Sequence, residues 1–168
     1  MPGYPNNTSR QGGVGRRQSV PDPRGGHQEN LLELPKPQKI SYFKDPKSKV
    51  LDPELLDTQA IKWAKAFAEL KTSQMRRFYD DLKAIERKIL AGNGPQEQAV
   101  NFEKAWPMVV IFKAKAAYAE KRNFAPRAFT QFIFDHVSSI QDLSDFQSFL
   151  KVFEAVVAFH KYFSKEKN

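Results

Sequence analysis

Arg76, Arg77, Lys83, Arg87 and Lys88 crowd into one stretch, Thr72 to Leu90. Guanidinium and ammonium groups at that density suit pairing with anionic oxygens, those of phosphate or of carboxylate. Lys113, Lys115, Lys121 and Arg122 form a second basic group. Neither group carries the glycine, aromatic or zinc pattern of a base-reading motif. If they meet nucleic acid, they are expected to hold phosphates and read shape, not bases. Solvated helix faces have the same composition, so the charge alone leaves both readings open. Other reactive types give little. The three histidines, His27, His136 and His160, are far apart in sequence, and a metal site needs clustered ligands. His136 and His160 fall on apolar stripes and read as packing residues. Asp80-Asp81 follows Arg76-Arg77 by four residues, the spacing of surface pairs along a helix. No serine has a strand-turn-helix context, and Gly92-Asn93-Gly94 reads as a helix stop, not a phosphate loop. No catalytic residue, metal or cofactor is expected.

The elements that must position these cations are helices. Met75, Phe78, Leu82, Ile85 and Ile89 recur at three- and four-residue spacing, so Thr72–Leu90 is a helix that packs on one side and presents cations on another. Thr72 or Ser73 can cap its start, and Gly92 and Gly94 follow its end. Before it, Asp52-Pro53-Glu54 signals a helix start, followed by a stripe of Leu56, Ala60, Trp63, Ala64, Phe67 and Leu70. After it come a short helix over 95–104 and a fourth from Trp106-Pro107 to about Arg122. In the fourth, Lys115 lies on the line Met108, Ile111, Lys115, Tyr118, Arg122, where its long stem can reach either water or a ligand phosphate. A fifth helix follows Ala125-Pro126. Ser144 to Gln147 has capping-box spacing and is expected to open a sixth. Nine of the fourteen phenylalanines lie between Phe124 and Phe163, and their helical spacing assigns them to the core.

These elements predict an all-α fold, a compact bundle of five to six helices over residues 51–168. Residues 1–50 differ in kind. They hold six of the eight glycines and seven of the eleven prolines, and nine cationic side chains against four acidic ones. A disordered basic arm is expected there, although the run Ile40 to Lys44 can dock on a surface. The net charge of +8 favours an anionic partner. Residues 104–127 hold six bases and one acid, and residues 128–160 one base and four acids, so a basic side and an acidic side are expected. The absence of cysteine excludes disulfides and thiolate sites and fits a reducing cytoplasm. No apolar run approaches the roughly 20 residues of a membrane span.

Three segments, in order, resemble one family. SQMRRFY (73–79), KAAYAEKR (115–122) and FEAVVAFHKYF (153–163) are similar to stretches of the small helical subunit of the type III-A CRISPR effector, the Csm complex. The resemblance spans roughly residues 55–163. Lys121 stands where the family has a glycine, and Ala116 where it has a leucine. The resemblance implies an all-helical, non-catalytic subunit of an antiviral ribonucleoprotein. Copies would stack along a filament of backbone subunits, near the large subunit, and line the groove that holds guide RNA and target RNA. It carries RNA contact over to Arg76, Lys115 and Arg122. Arg77, Lys83 and Lys113 join them on physical grounds. The alternative is a helical protein-interaction module whose basic face binds an acidic partner.

Overall fold

A computed structural model describes residues 33–166. The fold is all-α. Its helices are α1 (Pro53–Leu56), α2 (Thr58–Ala66), α3 (Thr72–Leu90), α4 (Pro95–Lys121), α5 (Arg127–Ser139) and α6 (Leu143–Phe163). α6 packs against α2 and α3, and α4 packs between α3 and α5. Phe67, Phe129, Phe132 and Phe153 meet at the centre with ring centroids 5.4–6.4 Å apart. Edge-to-face arrangements dominate that set, the geometry the ring quadrupoles favour. The phenylalanines at helical spacing between 129 and 153 are therefore core.

Several boundaries depart from the sequence reading, each for a local reason. The first stripe is broken at Asp57, whose backbone (φ −116°, ψ −94°) separates the single turn α1 from α2. Asp52 caps α1 through its carboxylate, which accepts from the Glu54 N–H at 3.1 Å. The short helix over 95–104 and the helix from Trp106 are one element. Pro107 lies inside α4. Its ring is exposed, as is Glu103, whose carbonyl loses its intrahelical partner to the proline. Phe102, Ala105, Val109, Phe112 and Ala116 keep one buried stripe across the proline, and that stripe holds the helix together.

α3 begins at Thr72 itself, with no side-chain cap. The Thr72 N–H donates instead to the Glu166 carboxylate at 3.0 Å, so the C-terminal segment closes this helix end. α6 is capped by Asp142, not Ser144. The Asp142 carboxylate accepts from the Asp145 N–H, and the Asp145 carboxylate accepts from the Gln141 N–H, both at 2.9 Å. The cap thus lies two residues earlier than expected, and the Asp145 carboxylate reaches back to the residue before the cap instead of to the cap itself.

Of the arm expected over residues 1–50, residues 1–32 lie outside the described residues. Residues 34–52 form a strap on α5. The Gln38 N–H donates to Asp135 at 2.7 Å and the Ile40 N–H to the Ser139 hydroxyl at 2.8 Å. Tyr42 is 3% exposed. The boundary expected at residue 50 thus runs through a packed unit that begins at Leu34. Composition points to residue 50 because Pro35, Pro37 and Pro46 mark an extended chain, and an extended chain can still bury single side chains.

Candidate nucleic-acid interface

A cleft of ≈ 320 Å³ opens between α3 and the C-terminal end of α4. Gln74, Arg77, Phe78 and Asp81 line it from α3, and Lys115, Tyr118 and Ala119 from α4, with Leu70 from before α3 and Phe124 from after α4. Residues 74, 77, 78 and 81 share one side of α3 by the helical period, and 115, 118 and 119 one side of α4. The α4 side carries the line Met108, Ile111, Lys115, Tyr118. It faces solvent, with Met108, Ile111 and Tyr118 44%, 51% and 63% exposed.

The turn after α4 shapes one end of the cleft. Asn123 sits at φ +57°, the left-handed conformation that asparagine tolerates better than most residues. The Phe124 N–H donates to the Ala119 carbonyl and the Asn123 N–H to the Glu120 carbonyl, both at 2.8 Å. This is a Schellman closure, with Asn123 in the usual glycine place. It turns Phe124 onto the last turn of α4. The Arg122 guanidinium carbon lies 4.7 Å from the Phe124 ring centroid and 5.5 Å from that of Tyr118, within cation–π range. Arg122 Nη1 also donates to the Tyr118 hydroxyl at 3.1 Å.

Of the six cations named from sequence, Arg77 and Lys115 line this cleft and Arg122 adjoins it. Lys115 Nζ lies 4.5 Å from the Phe112 ring centroid and donates to Asp81 at 3.0 Å. Asp81 therefore pairs across helices, not along α3 as its spacing from Arg77 suggested. The pair is half exposed and so contributes little to stability. Its effect is to hold the ammonium at the cleft mouth. The other three lie elsewhere. Arg76 is exposed about 100° round the helix from Arg77. Lys83 pairs with Glu86 and lines a separate hollow with Gln147, Lys151 and Glu154. Lys113 is half-buried, its ammonium 5.8 Å from the Phe134 ring centroid on α5.

The sequence reading missed Gln74 and Phe124 as cleft residues and placed Tyr118 on the line of Lys115 without giving it a role. The available signal was Asn123, a residue that can end a helix in the left-handed conformation. Both described histidines are fully buried. His160 Nε2 donates to the Phe67 carbonyl at 3.0 Å, closing the end of α2. Among the described residues no group of three or more acidic or histidine side chains is placed to hold a metal. No helix among them is long and apolar enough to cross a membrane.

A protein-family model described as Csm2 Type III-A matches residues 50–166. No curated protein and no solved structure matches the chain.

Proposed function

The chain belongs to the Csm2 Type III-A family, whose members are subunits of the type III-A CRISPR complex, and from that premise we propose that it is a non-catalytic scaffold that grips RNA phosphates at the α3–α4 cleft. The observation that carries this reading is that Arg77 and Lys115, from two separate helices, line one cleft, with Arg122 adjoining it. Such side chains neutralise a phosphate backbone without reading its bases, which suits a subunit that must accept any guide and target RNA. Arg76 adds an exposed cation on the same helix. In this role the subunit works in the cytoplasm in antiviral defence, with copies stacked along the backbone subunits and beside the large subunit.

A second reading, a protein-interaction module with an acidic partner, draws support from Val100, Met108 and Ile111, apolar side chains left exposed along α4. One titration separates the two. Binding of a single-stranded RNA oligomer to the full chain is measured as a function of salt, starting from low salt. On the RNA reading, log K falls with log salt by about 0.7 per neutralised phosphate. Arg77→Ala with Lys115→Ala then lowers the slope by about 0.7 for each phosphate no longer neutralised, with helicity unchanged. An unchanged slope in the double variant, or no binding at low salt, removes the RNA reading.

A further inference from the structure

Phosphate pairing leaves most of the α3–α4 cleft unused. Leu70, Phe78 and Ala119 give it an apolar lining, and Tyr118 and Phe124 flank it while 63% and 46% exposed. Arg122 covers part of both rings, and the ring surface still left in water beside an apolar hollow is an unfilled contact surface. Both are held in place: Tyr118 by the helix and by Arg122 Nη1 on its hydroxyl, Phe124 by the backbone closure at Asn123. The volume, ≈ 320 Å³, lies at the small end of the roughly 300–1,000 Å³ of ligand pockets, enough for one planar heterocycle. The charge selects among planar occupants. Arg77, Lys115 and Arg122 outnumber Asp81, the one carboxylate of the lining, and Lys115 already pairs with it. An anionic occupant with a flat, stackable ring is a nucleotide.

The geometry points to a nucleotide site in which one unstacked base of single-stranded RNA enters the cleft against Tyr118 and Phe124, with Arg77 and Lys115 on its flanking phosphates. This rests on the RNA reading above and deepens it, since the base itself becomes a binding element. Stacking accepts every base, because every base has a π face, so the site adds affinity without demanding a sequence. The Gln74 amide, on the same lining, can donate to or accept from a base edge.

The test uses the full chain and two RNA probes of equal length and charge, one of uridines and one of abasic ribose phosphates. The uridine strand is expected to bind about 5- to 140-fold more tightly, the range of one stacked base. Tyr118→Ala is expected to remove most of that gain and leave the salt slope unchanged, whereas Tyr118→Phe keeps it, because the ring stacks and the hydroxyl does not. Arg77→Ala with Lys115→Ala lowers the slope for both strands. A 2-aminopurine placed mid-strand reports the base's move from neighbour stacking into the cleft as a fluorescence change that Tyr118→Ala abolishes. Equal affinity for the two strands, or full binding by Tyr118→Ala, overturns the base site while the phosphate reading stands on its slope. Failure of both strands to bind at low salt overturns the two together. Tight uptake of an acidic, tryptophan-bearing peptide with no preference between the strands assigns the cleft to a protein side chain and also overturns the base site.

Discussion

His136 shows how much a single buried ring can set. Its imidazole lies among Phe132, Phe149, Trp63 and Tyr42, with centroids 4.3, 5.0, 5.1 and 5.6 Å away. The Tyr42 hydroxyl is 2.9 Å from His136 Nδ1 and donates to the His136 carbonyl at 3.3 Å. Burial lowers the His136 pKa to about 3 and pushes the Tyr42 phenol well above its usual value. The imidazole is therefore neutral in the folded protein at physiological pH. An unfolded histidine takes its proton near pH 6.5. The stabilisation is thus complete above about pH 6.5 and is lost as pH falls toward 3, by up to about 1.4 kcal/mol per pH unit. Two carboxylates act in the same direction. Burial would raise the Asp142 pKa, but hydrogen bonds from the Asp145 N–H and Lys49 outweigh it and lower it; hydrogen bonds from Thr72 lower that of Glu166. Denaturant melts at neutral pH and at about pH 5 span the range in which an unfolded histidine takes its proton. The stability gap between the two pH values is expected to narrow in a Tyr42→Phe, His136→Leu variant. An unchanged gap would show that His136 does not carry the acid sensitivity.

At the scale of elements, α4 is held by packing against its own local chemistry. A helix-interior proline costs about 3 kcal/mol relative to alanine. Here it sits on the exposed side, where water can satisfy the released Glu103 carbonyl, and the buried stripe from Phe102 to Ala116 is uninterrupted. Pro107→Ala is expected to stabilise the protein by about 1–3 kcal/mol, read from the urea midpoint at constant m-value. A loss of stability would mean that the proline is fitted to a bend α4 requires. The α3–α4 junction has the opposite character. A Cβ on Gly92 would lie 2.9 Å from Asn101 Nδ2, 3.0 Å from the Gln98 nitrogen and 3.1 Å from the Glu97 carbonyl carbon, and Gly94 has φ +99°. The glycines there permit a close approach at one position and a left-handed backbone at the other. Their place in the sequence marks both as lying at the helix end and does not tell which does which.

For the molecule as a whole, the strap over residues 34–52 completes the core that the helices begin. Tyr42 closes over His136, the Asp52 N–H donates to the Tyr42 carbonyl at 2.9 Å, and Lys49 reaches the Asp142 carboxylate at 2.9 Å. A chain that begins at residue 44 is expected to lose about 2–4 kcal/mol relative to one that begins at residue 34, from one buried aromatic and the His136 partner left unpaired. Thermal melts of the two chains check it, and equal midpoints would show that the strap only rests on the surface.

The amino-acid sequence by itself determined the all-helical class, most of the phenylalanine core and the resemblance that the family match over residues 50–166 supports. The first two follow from local period and residue type, which act over a turn or two of chain; the resemblance rests on three ordered segments, 73–79, 115–122 and 153–163. Tertiary structure decided which cations share a surface. Arg76 and Arg77 are neighbours in sequence, yet only Arg77 lines the cleft with Lys115, because about 100° of rotation separates them and the neighbouring helix fixes which angle matters. It also decided that Asp81 pairs with Lys115 across 34 residues of sequence, and that Tyr42 is core although it lies in a proline-rich segment. Spacing along a chain gives angles about each helix axis. The approach of one helix or strap to another follows from burying apolar area of the whole bundle, a sum that no single window of sequence contains.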